Sequence, residues 1–142
     1  SVTEDEKYII ASKNLQQDVF DLNGKKILLI KNVNFVDYVD GMEYFIFEKG
    51  DKYGIVDKNG EKVLDFIYDI IIYFKDKNIV LLSLNKKYGI FNKKLKTIIP
   101  IVFDNIRIFK DKAKFEINNN IIDIDISKLY YAKKEIIKAI LD

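Results

Sequence analysis

The sequence contains neither cysteine nor histidine. Without cysteine, disulfides are excluded, and so are zinc sites built on thiolates. Without histidine, the chain lacks the commonest general base and the commonest ligand of zinc and iron. These two absences remove the central residue of most hydrolytic and metal-dependent sites. We therefore predict a protein that is not an enzyme and that uses no metal or cofactor.

Arginine and long apolar runs are also scarce. Arg107 is the only arginine, and 24 basic residues face 22 acidic ones, for a net charge of +2. Lysine lacks the planar fork that binds phosphate through two hydrogen bonds, so nucleic acid is not the favoured partner. The longest apolar runs, residues 70–74 and 98–103, fall far short of the roughly 20 residues of a membrane-spanning helix. We expect no membrane span.

The first six residues, SVTEDE, are acidic and polar, unlike the basic and then apolar start of a signal peptide. The location stays open, with a cytoplasmic one slightly favoured and an exported form as the alternative. Oligomeric state stays open, because edge strands at either end could pair with a second copy.

The chain has enough apolar residues to bury a core, since 49% of its 142 residues are hydrophobic and 13% are aromatic. A chain of this length and composition is most simply one domain, residues 1–142. The sequence also repeats itself with a period of about 35 residues, which indicates a repeat architecture. The matching segments are 52–58 (KYGIVDK) with 87–93 (KYGIFNK), 66–69 with 101–104, and 73–77 with 108–112.

An earlier and more diverged copy places residues 19–26, VFDLNGKK, on residues 55–62, IVDKNGEK, at a shift of 36. The period predicts a set of repeats followed by a helix. Their approximate bounds are 8–42, 43–77, 78–112 and a partial copy at 113–126, with the helix at 127–141.

Each unit carries the local signals of β-hairpins. Residues 57–60, DKNG, lie between β-branched and aromatic runs, and the glycine supplies the positive φ of a type I turn with a bulge. Residues 21–24, DLNG, repeat the turn, but residues 92–95, NKKL, have Leu95 at the glycine position. We expect that third turn to be longer or more strained. Consecutive strands are expected to be antiparallel neighbours.

The strands differ in how they should be covered. Residues 112–117, KAKFEI, alternate between charged and apolar, which predicts a sheet with one wetted face. Residues 79–82, IVLL, are apolar throughout and should be covered on both faces. The predicted fold is mainly β, made of antiparallel β-hairpin repeats in an open curved meander or stack. The copies are too few to predict a closed propeller.

From Ser127 the apolar period becomes that of an amphipathic helix, with Ser127 as the predicted N-cap. We expect this helix to cap the open end of the repeat array. A docking helix for a partner and the start of a further domain are the alternatives. The predicted apolar face consists of Leu129, Ala132, Ile136, Ile137, Ile140 and Leu141.

Residues 52–63 followed by FIYD at 66–69 resemble the bacterial WG repeat, also called the KWG repeat. Residues 87–104 resemble it equally, with Ile99-Pro100 where the family often has proline. The resemblance covers roughly residues 8–126, with tyrosine in place of the family's tryptophan and Gln17-Asp18 in place of the Trp-Gly pair in the first copy. It implies a β-rich scaffold within larger bacterial proteins, without a general enzymatic activity.

The positions that define the repeat combine an aromatic-glycine strand, a turn and a second aromatic-aspartate strand. An aromatic ring followed by glycine suits a strand in which the ring folds over a neighbour's backbone, so core packing is favoured over ligand contact at the two tyrosines. The predicted structural positions are Tyr53, Gly54, Gly60, Tyr68, Asp69, Tyr88, Gly89, Phe103 and Asp104.

No cation site is favoured by the acidic residues. The turns that begin at Asp21 and Asp57 resemble the first half of a calcium loop, but Asn32 and Tyr68 stand where a bidentate carboxylate is needed. A solvated strand face is the favoured interpretation of Asp123 and Asp125, over cation binding with the neighbouring asparagines.

The leading hypothesis is a non-enzymatic module for protein–protein interaction or scaffolding in a bacterium. The alternative is an exported or cell-surface module that binds glycan or peptide through exposed aromatics, namely Tyr38, Tyr44, Tyr68 and Tyr73. Nucleic-acid binding would need lysines gathered on one face beside stacked aromatics, and it is the least favoured of the three.

Overall fold

The computed structural model describes residues 1–141, and for Ala132, Lys133, Ile137, Ala139, Ile140 and Leu141 it describes the backbone alone. The chain divides into two compact units, Ser1–Tyr73 and the residues from Phe74 onward. Each unit has a hydrophobic core of its own. The assignment of the whole chain to one domain stays a prediction.

The first unit contains two antiparallel sheets with strands in chain order. The three-stranded sheet is β1 (Tyr8–Lys13), β2 (Gln16–Asp21) and β3 (Lys26–Lys31), and the four-stranded sheet is β4 (Asn34–Val39), β5 (Tyr44–Lys49), β6 (Lys52–Asp57) and β7 (Lys62–Tyr68). Strand β8 (Ile70–Phe74) contains the boundary between the units.

Aromatic rings fill the core of the first unit. Phe45 is fully buried, and the rings of Tyr8 and Tyr38 lie 5.4 and 5.1 Å from it between centroids. Tyr8 meets Phe45 edge to face, an arrangement that aromatic pairs prefer. The apolar residues of alternate strand positions complete this core, among them Ile10, Val19, Leu28, Val33, Phe47 and Val56.

The second unit repeats the hairpin pattern and ends in a helix. Its strands are β9 (Ile79–Leu84), β10 (Lys87–Asn92), β11 (Thr97–Phe103), β12 (Asn105–Phe109), β13 (Lys112–Ile117) and β14 (Asn120–Asp125), followed by a 3₁₀ turn (Ile126–Lys128) and helix α1 (Leu129–Leu141). Strands β9, β10 and β11 pair antiparallel, and β12, β13 and β14 form a separate three-stranded antiparallel sheet.

The mainly β fold of antiparallel hairpins in series, with a helix near the C-terminus, is confirmed. Residues 79–82 are buried throughout, and residues 112–117 alternate between exposed or half-buried charged positions and buried apolar ones. Both patterns agree with the sequence. In β13 only the alternate apolar positions lie in the core.

The start of the helix differs from the prediction. Helix α1 begins at Leu129, and Ser127 lies inside the 3₁₀ turn, so the assignment of Ser127 as the N-cap of the α-helix is wrong. The backbone N–H of Ile126 donates to the carbonyl of Asp111 at 2.8 Å, which keeps the chain attached to the sheet at this point. Leu129 and Ile136 are buried in the core of the second unit. The other predicted face residues, Ala132, Ile137, Ile140 and Leu141, lie outside the described side chains.

The turns after β2, β6 and β10 share one hydrogen-bond pattern. At Asp57 the side-chain Oδ1 accepts from the backbone N–H groups of Asn59 and Glu61 at 2.9 and 3.0 Å, and the carbonyl accepts from Gly60 at 3.0 Å. The turns at Asp21 and Asn92 have the same three bonds. The expectation of a longer third turn is therefore wrong.

Strain in the third turn is confirmed, because Leu95 has φ +64° where Gly24 and Gly60 have +82°. A side chain in this left-handed region crowds the backbone, which costs about 1–2 kcal/mol relative to the right-handed region.

Leu95→Gly is expected to stabilise the second unit by about 0.5–1 kcal/mol, since the strain relieved exceeds the extra chain entropy of glycine. Urea unfolding followed by tyrosine fluorescence measures the change. Leu22→Gly is the matched control, because Leu22 is an exposed turn leucine outside the positive-φ positions. Equal shifts in the two variants, or a lower stability for Leu95→Gly than for Leu22→Gly, would contradict the argument.

Candidate binding surface

Strand pairing changes register at the aromatic-glycine positions. Tyr53 lies opposite Tyr68, and Ile55 lies opposite Leu64, so β7 contains two more residues than β6 over this stretch. The same offset recurs in the second unit, where Tyr88 faces Phe103 and Ile90 faces Ile99. Each of these sheets therefore contains a bulge in the strand that follows the aromatic-glycine strand.

The glycines make room for the bulges. A Cβ atom on Gly54 would lie 2.8 Å from the Phe66 ring and 3.0 Å from the Leu64 carbonyl oxygen. A Cβ atom on Gly89 would lie 2.7 Å from the Ile99 carbonyl oxygen. These contacts come from the bulged strand. The earliest copy supports the link, because Asp18 stands at the glycine position there and β2 and β3 pair without this two-residue offset.

Gly89→Ala is expected to destabilise the second unit by about 2 kcal/mol or more, because the new methyl group meets backbone that can move only by distorting the bulge. Asp18→Ala is the control, since it places a methyl group at the equivalent position of the sheet that lacks the two-residue offset, and we expect a change within about 1 kcal/mol. Urea unfolding of both variants compares them. Equal losses of stability would contradict the proposed role of the glycine.

Two ion pairs join the ends of the same strands. The Lys52 ammonium contacts the Asp69 carboxylate, and Lys87 contacts Asp104 in the same way. The Lys87 ammonium has the largest effect in lowering the pKa of Asp104. A 3.0 Å hydrogen bond from the Asn118 N–H lowers this pKa further. Both pairs are partly or largely exposed, so they specify strand register more than they add stability.

The nine predicted positions thus lie in two separate groups. Tyr53, Gly54, Gly60, Tyr68 and Asp69 belong to the first unit. In the second unit, Phe103 is fully buried and Tyr88 is half-buried against the core. Their contacts are those of strand pairing, turns and packing. Their purely structural role stays a prediction.

The tyrosines proposed for a glycan or peptide surface are not exposed. Tyr38 and Tyr73 are each 7% exposed, and Tyr44 and Tyr68 are half-buried. The hydroxyl of Tyr38 donates to Asp5 and that of Tyr73 donates to Asp40, both at 2.8 Å, so each is bonded to a carboxylate 33 residues earlier. The expectation of an exposed aromatic ring is therefore wrong at Tyr38 and Tyr73, and a ligand contact at Tyr44 and Tyr68 stays a prediction.

Burial, reinforced by the bonded carboxylates, raises the pKa of Tyr8, Tyr38 and Tyr73 above the ordinary value. An unfolded tyrosine ionises near pH 10. The stabilisation from these neutral hydroxyls is therefore complete below pH 10 and is lost as the pH rises above it.

When the pH rises from 9 to 11, the urea midpoint of the first unit is accordingly expected to fall further in wild type than in a Tyr38→Phe variant. Tyr131→Phe, which removes the hydroxyl of a tyrosine that is 86% exposed, should keep the wild-type pH dependence. The same slope in all three proteins would contradict the assignment.

An exposed charged and aromatic face lies on the sheet of β12, β13 and β14. Its opposite face packs Ile106, Ala113 and Phe115 into the core. Strand register places the exposed side chains in three rows across the sheet, and we call this set the outer face. The rows are Asn105, Glu116 and Ile121; Arg107, Lys114 and Asp123; and Phe109, Lys112 and Asp125.

Phe109 is the most exposed apolar residue of the outer face. It is 71% exposed, and the Lys110 ammonium lies 5.5 Å from its ring centroid. Phe74, at the matching position of the repeat, is half-buried against the core. The outer face therefore presents an aromatic ring whose counterpart in the preceding copy, Phe74, is half-buried.

Arg107 and Lys114 lie directly opposite each other on adjacent strands. Like charges in this position repel. Lys112 is bound to Asp125 at 2.6 Å, but neither Arg107 nor Lys114 has a carboxylate within ion-pair distance among the residues that the structure describes. Arg107, Phe109, Lys112, Lys114 and Asp123 line an open cavity of about 300 Å³.

The sequence contained only part of the signal for this surface. The alternation of residues 112–117 indicated that Lys112 and Lys114 are wetted, whereas nothing singled out Arg107 or Phe109. Residues 108–112 nearly repeat residues 73–77, so the sequence pattern could not show that Phe109 is exposed whereas Phe74 is half-buried.

Among residues 1–141, the side chains described include no group of three carboxylates suited to a metal ion. Asp125 is bound by Lys112, which lowers its pKa, and lies 3.9 Å from Lys128. Within the same described part of the chain, helices are too short and too polar to cross a membrane.

The repeated hairpins and their glycine-dependent bulges define a β-repeat module. Residues 53–88 and 88–120 match the model of the WG containing repeat. This match confirms the resemblance to the WG repeat family over residues 53–120. No curated protein matches the sequence.

Solved structures similar to the chain include Hsv2 proteins from two yeasts. Kluyveromyces lactis Hsv2 is 14% identical with a TM-score of 0.45, and the match covers 88% of this chain and 44% of that one. Kluyveromyces marxianus Hsv2 is 13% identical with a TM-score of 0.48, and the match covers 90% and 48%. The chain spans less than half the length of either protein.

Proposed function

We propose that the chain is a non-enzymatic module that binds another protein in a bacterium, and that the outer face is its binding surface. The observation that carries this proposal is the exposure of Phe109 beside Arg107. Aromatic residues and arginine are enriched in the energetically dominant positions of protein interfaces.

The distribution of side chains supports the outer face over the repeat positions. The aromatic rings at the repeat positions pack into the cores or against paired strands, whereas Phe109 projects from a sheet whose other face already fills the core. An exposed ring contributes little to the fold. Its burial against a partner would remove a large apolar area from water, with a gain of roughly 25 cal/mol per Å² before the costs of association.

The non-enzymatic part of the proposal rests on the chemistry of the sequence. Histidine and cysteine are absent, and these residues supply the commonest general base and the most nucleophilic side chain. A β-repeat module with an exposed aromatic-cationic face fits binding without catalysis.

Phe109→Ala is expected to abolish or greatly weaken capture of a protein partner from a lysate of the source bacterium. Wild type, Phe109→Ala and Leu22→Ala are immobilised in parallel, and retained proteins are identified by mass spectrometry. Leu22 is the matched control because it is 63% exposed and lies in a turn of the first unit. The partner is then produced recombinantly, and its affinity for all three proteins is measured by calorimetry.

A partner that binds wild type and Leu22→Ala, and binds Phe109→Ala at least tenfold more weakly, would support the proposal. The proposal fails if no purified partner shows this difference.

A further inference from the structure

The structure assigns a chemistry to the partner, on the assumption that the outer face is the protein-binding surface proposed above. We infer that it is a peptide segment with an acidic side chain close to an apolar one. The carboxylate of an aspartate or glutamate binds between Arg107 and Lys114, and the apolar side chain packs on Phe109.

The first argument is a pair of facing cations that form no ion pair within the part of the chain that the structure describes. Arg107 and Lys114 face each other across β12 and β13, which brings their Cβ atoms to about 5 Å. Neither cation has a carboxylate of the described residues within ion-pair distance, although Asp123 lies opposite Lys114, whereas Lys112 in the next row is paired with Asp125. A carboxylate from outside would complete a charge-assisted site for which the fold provides both donors.

The second argument concerns the number and distribution of charges. Asp123 lies opposite Lys114 on β14, and Asp125 follows two residues later on the same face. These carboxylates repel a polyanion, so the face does not suit a nucleic acid backbone or an anionic lipid surface. A single carboxylate can contact Arg107 and Lys114 while the rest of the ligand remains neutral.

The third argument is spacing. Arg107 and Phe109 are two residues apart on one strand and point to the same face, so they are separated by about 7 Å along the strand. Residues i and i+2 of an extended peptide have the same separation. The favoured ligand is therefore an extended segment in which one residue separates an acidic residue from an apolar one.

A phage-displayed library of random heptapeptides, selected against the immobilised full chain, tests this inference. Selections are run in parallel on wild type, Arg107→Glu, Phe109→Ala and Lys62→Glu. Lys62→Glu is the control because it reverses an exposed charge on β7 of the first unit. Wild type and Lys62→Glu are expected to enrich peptides with an acidic residue two positions from an apolar one.

An enriched peptide is then synthesised, together with the version in which glutamine or asparagine replaces its acidic residue. We expect this replacement to weaken binding to wild type roughly tenfold or more. We expect the original peptide to bind Arg107→Glu more weakly than wild type by a similar factor. The thermal midpoint of Arg107→Glu should equal or exceed that of wild type, because the new glutamate faces Lys114. Lost binding without lost stability separates a ligand contact from a structural one.

The inference is overturned if the library enriches nothing, if the enriched peptides lack a carboxylate, or if Arg107→Glu binds them as wild type does. It is also overturned if vesicles of phosphatidylserine and phosphatidylcholine, or a single-stranded oligonucleotide, bind through Arg107 more tightly than the peptides. A purified partner whose binding requires Phe109 but not Arg107 would overturn only the inference about the acidic ligand. The proposed protein-binding function fails separately, when no partner depends on Phe109.

Discussion

The contact between a bare glycine backbone and a bulged neighbouring strand governs the pairing in the sheets of β6 with β7 and β10 with β11. Gly54 and Gly89 allow an approach that a methyl group would block. Because each bulge inserts two residues, the alternation of side chains between the two faces is preserved beyond it. Tyr68 and Phe103 therefore return to positions opposite Tyr53 and Tyr88.

Features encoded by neighbouring residues were predictable, and features that depend on distant partners were not. The hairpins and their turns follow from local signals, such as Asp57 accepting bonds from the next few N–H groups. The start of the helix was misjudged because the Ile126 N–H bonds to Asp111, far from the apolar pattern of the helix. The burial of Tyr38 was missed because its acceptor, Asp5, lies 33 residues away.

The outer face illustrates a limit of repeat-based prediction. Residues that recur in each copy are held in pairing and packing, so the period identifies the fold. The proposed binding residues lie instead where the last sheet departs from the pattern, as Phe109 does from Phe74. The facing charges of Arg107 and Lys114 are a local conflict in the sheet, and the proposed binding role would account for it.

The shared turn shows which residue type persists as the copies diverge. Asp21, Asp57 and Asn92 each accept the same two backbone bonds, although the first copy has lost the glycine of its preceding strand and the third has lost the glycine of its turn. A side-chain oxygen at the strand end is thus the most durable mark of the unit. Profiles that weight aspartate or asparagine there above either glycine would detect degenerate copies that a tryptophan-glycine signature overlooks.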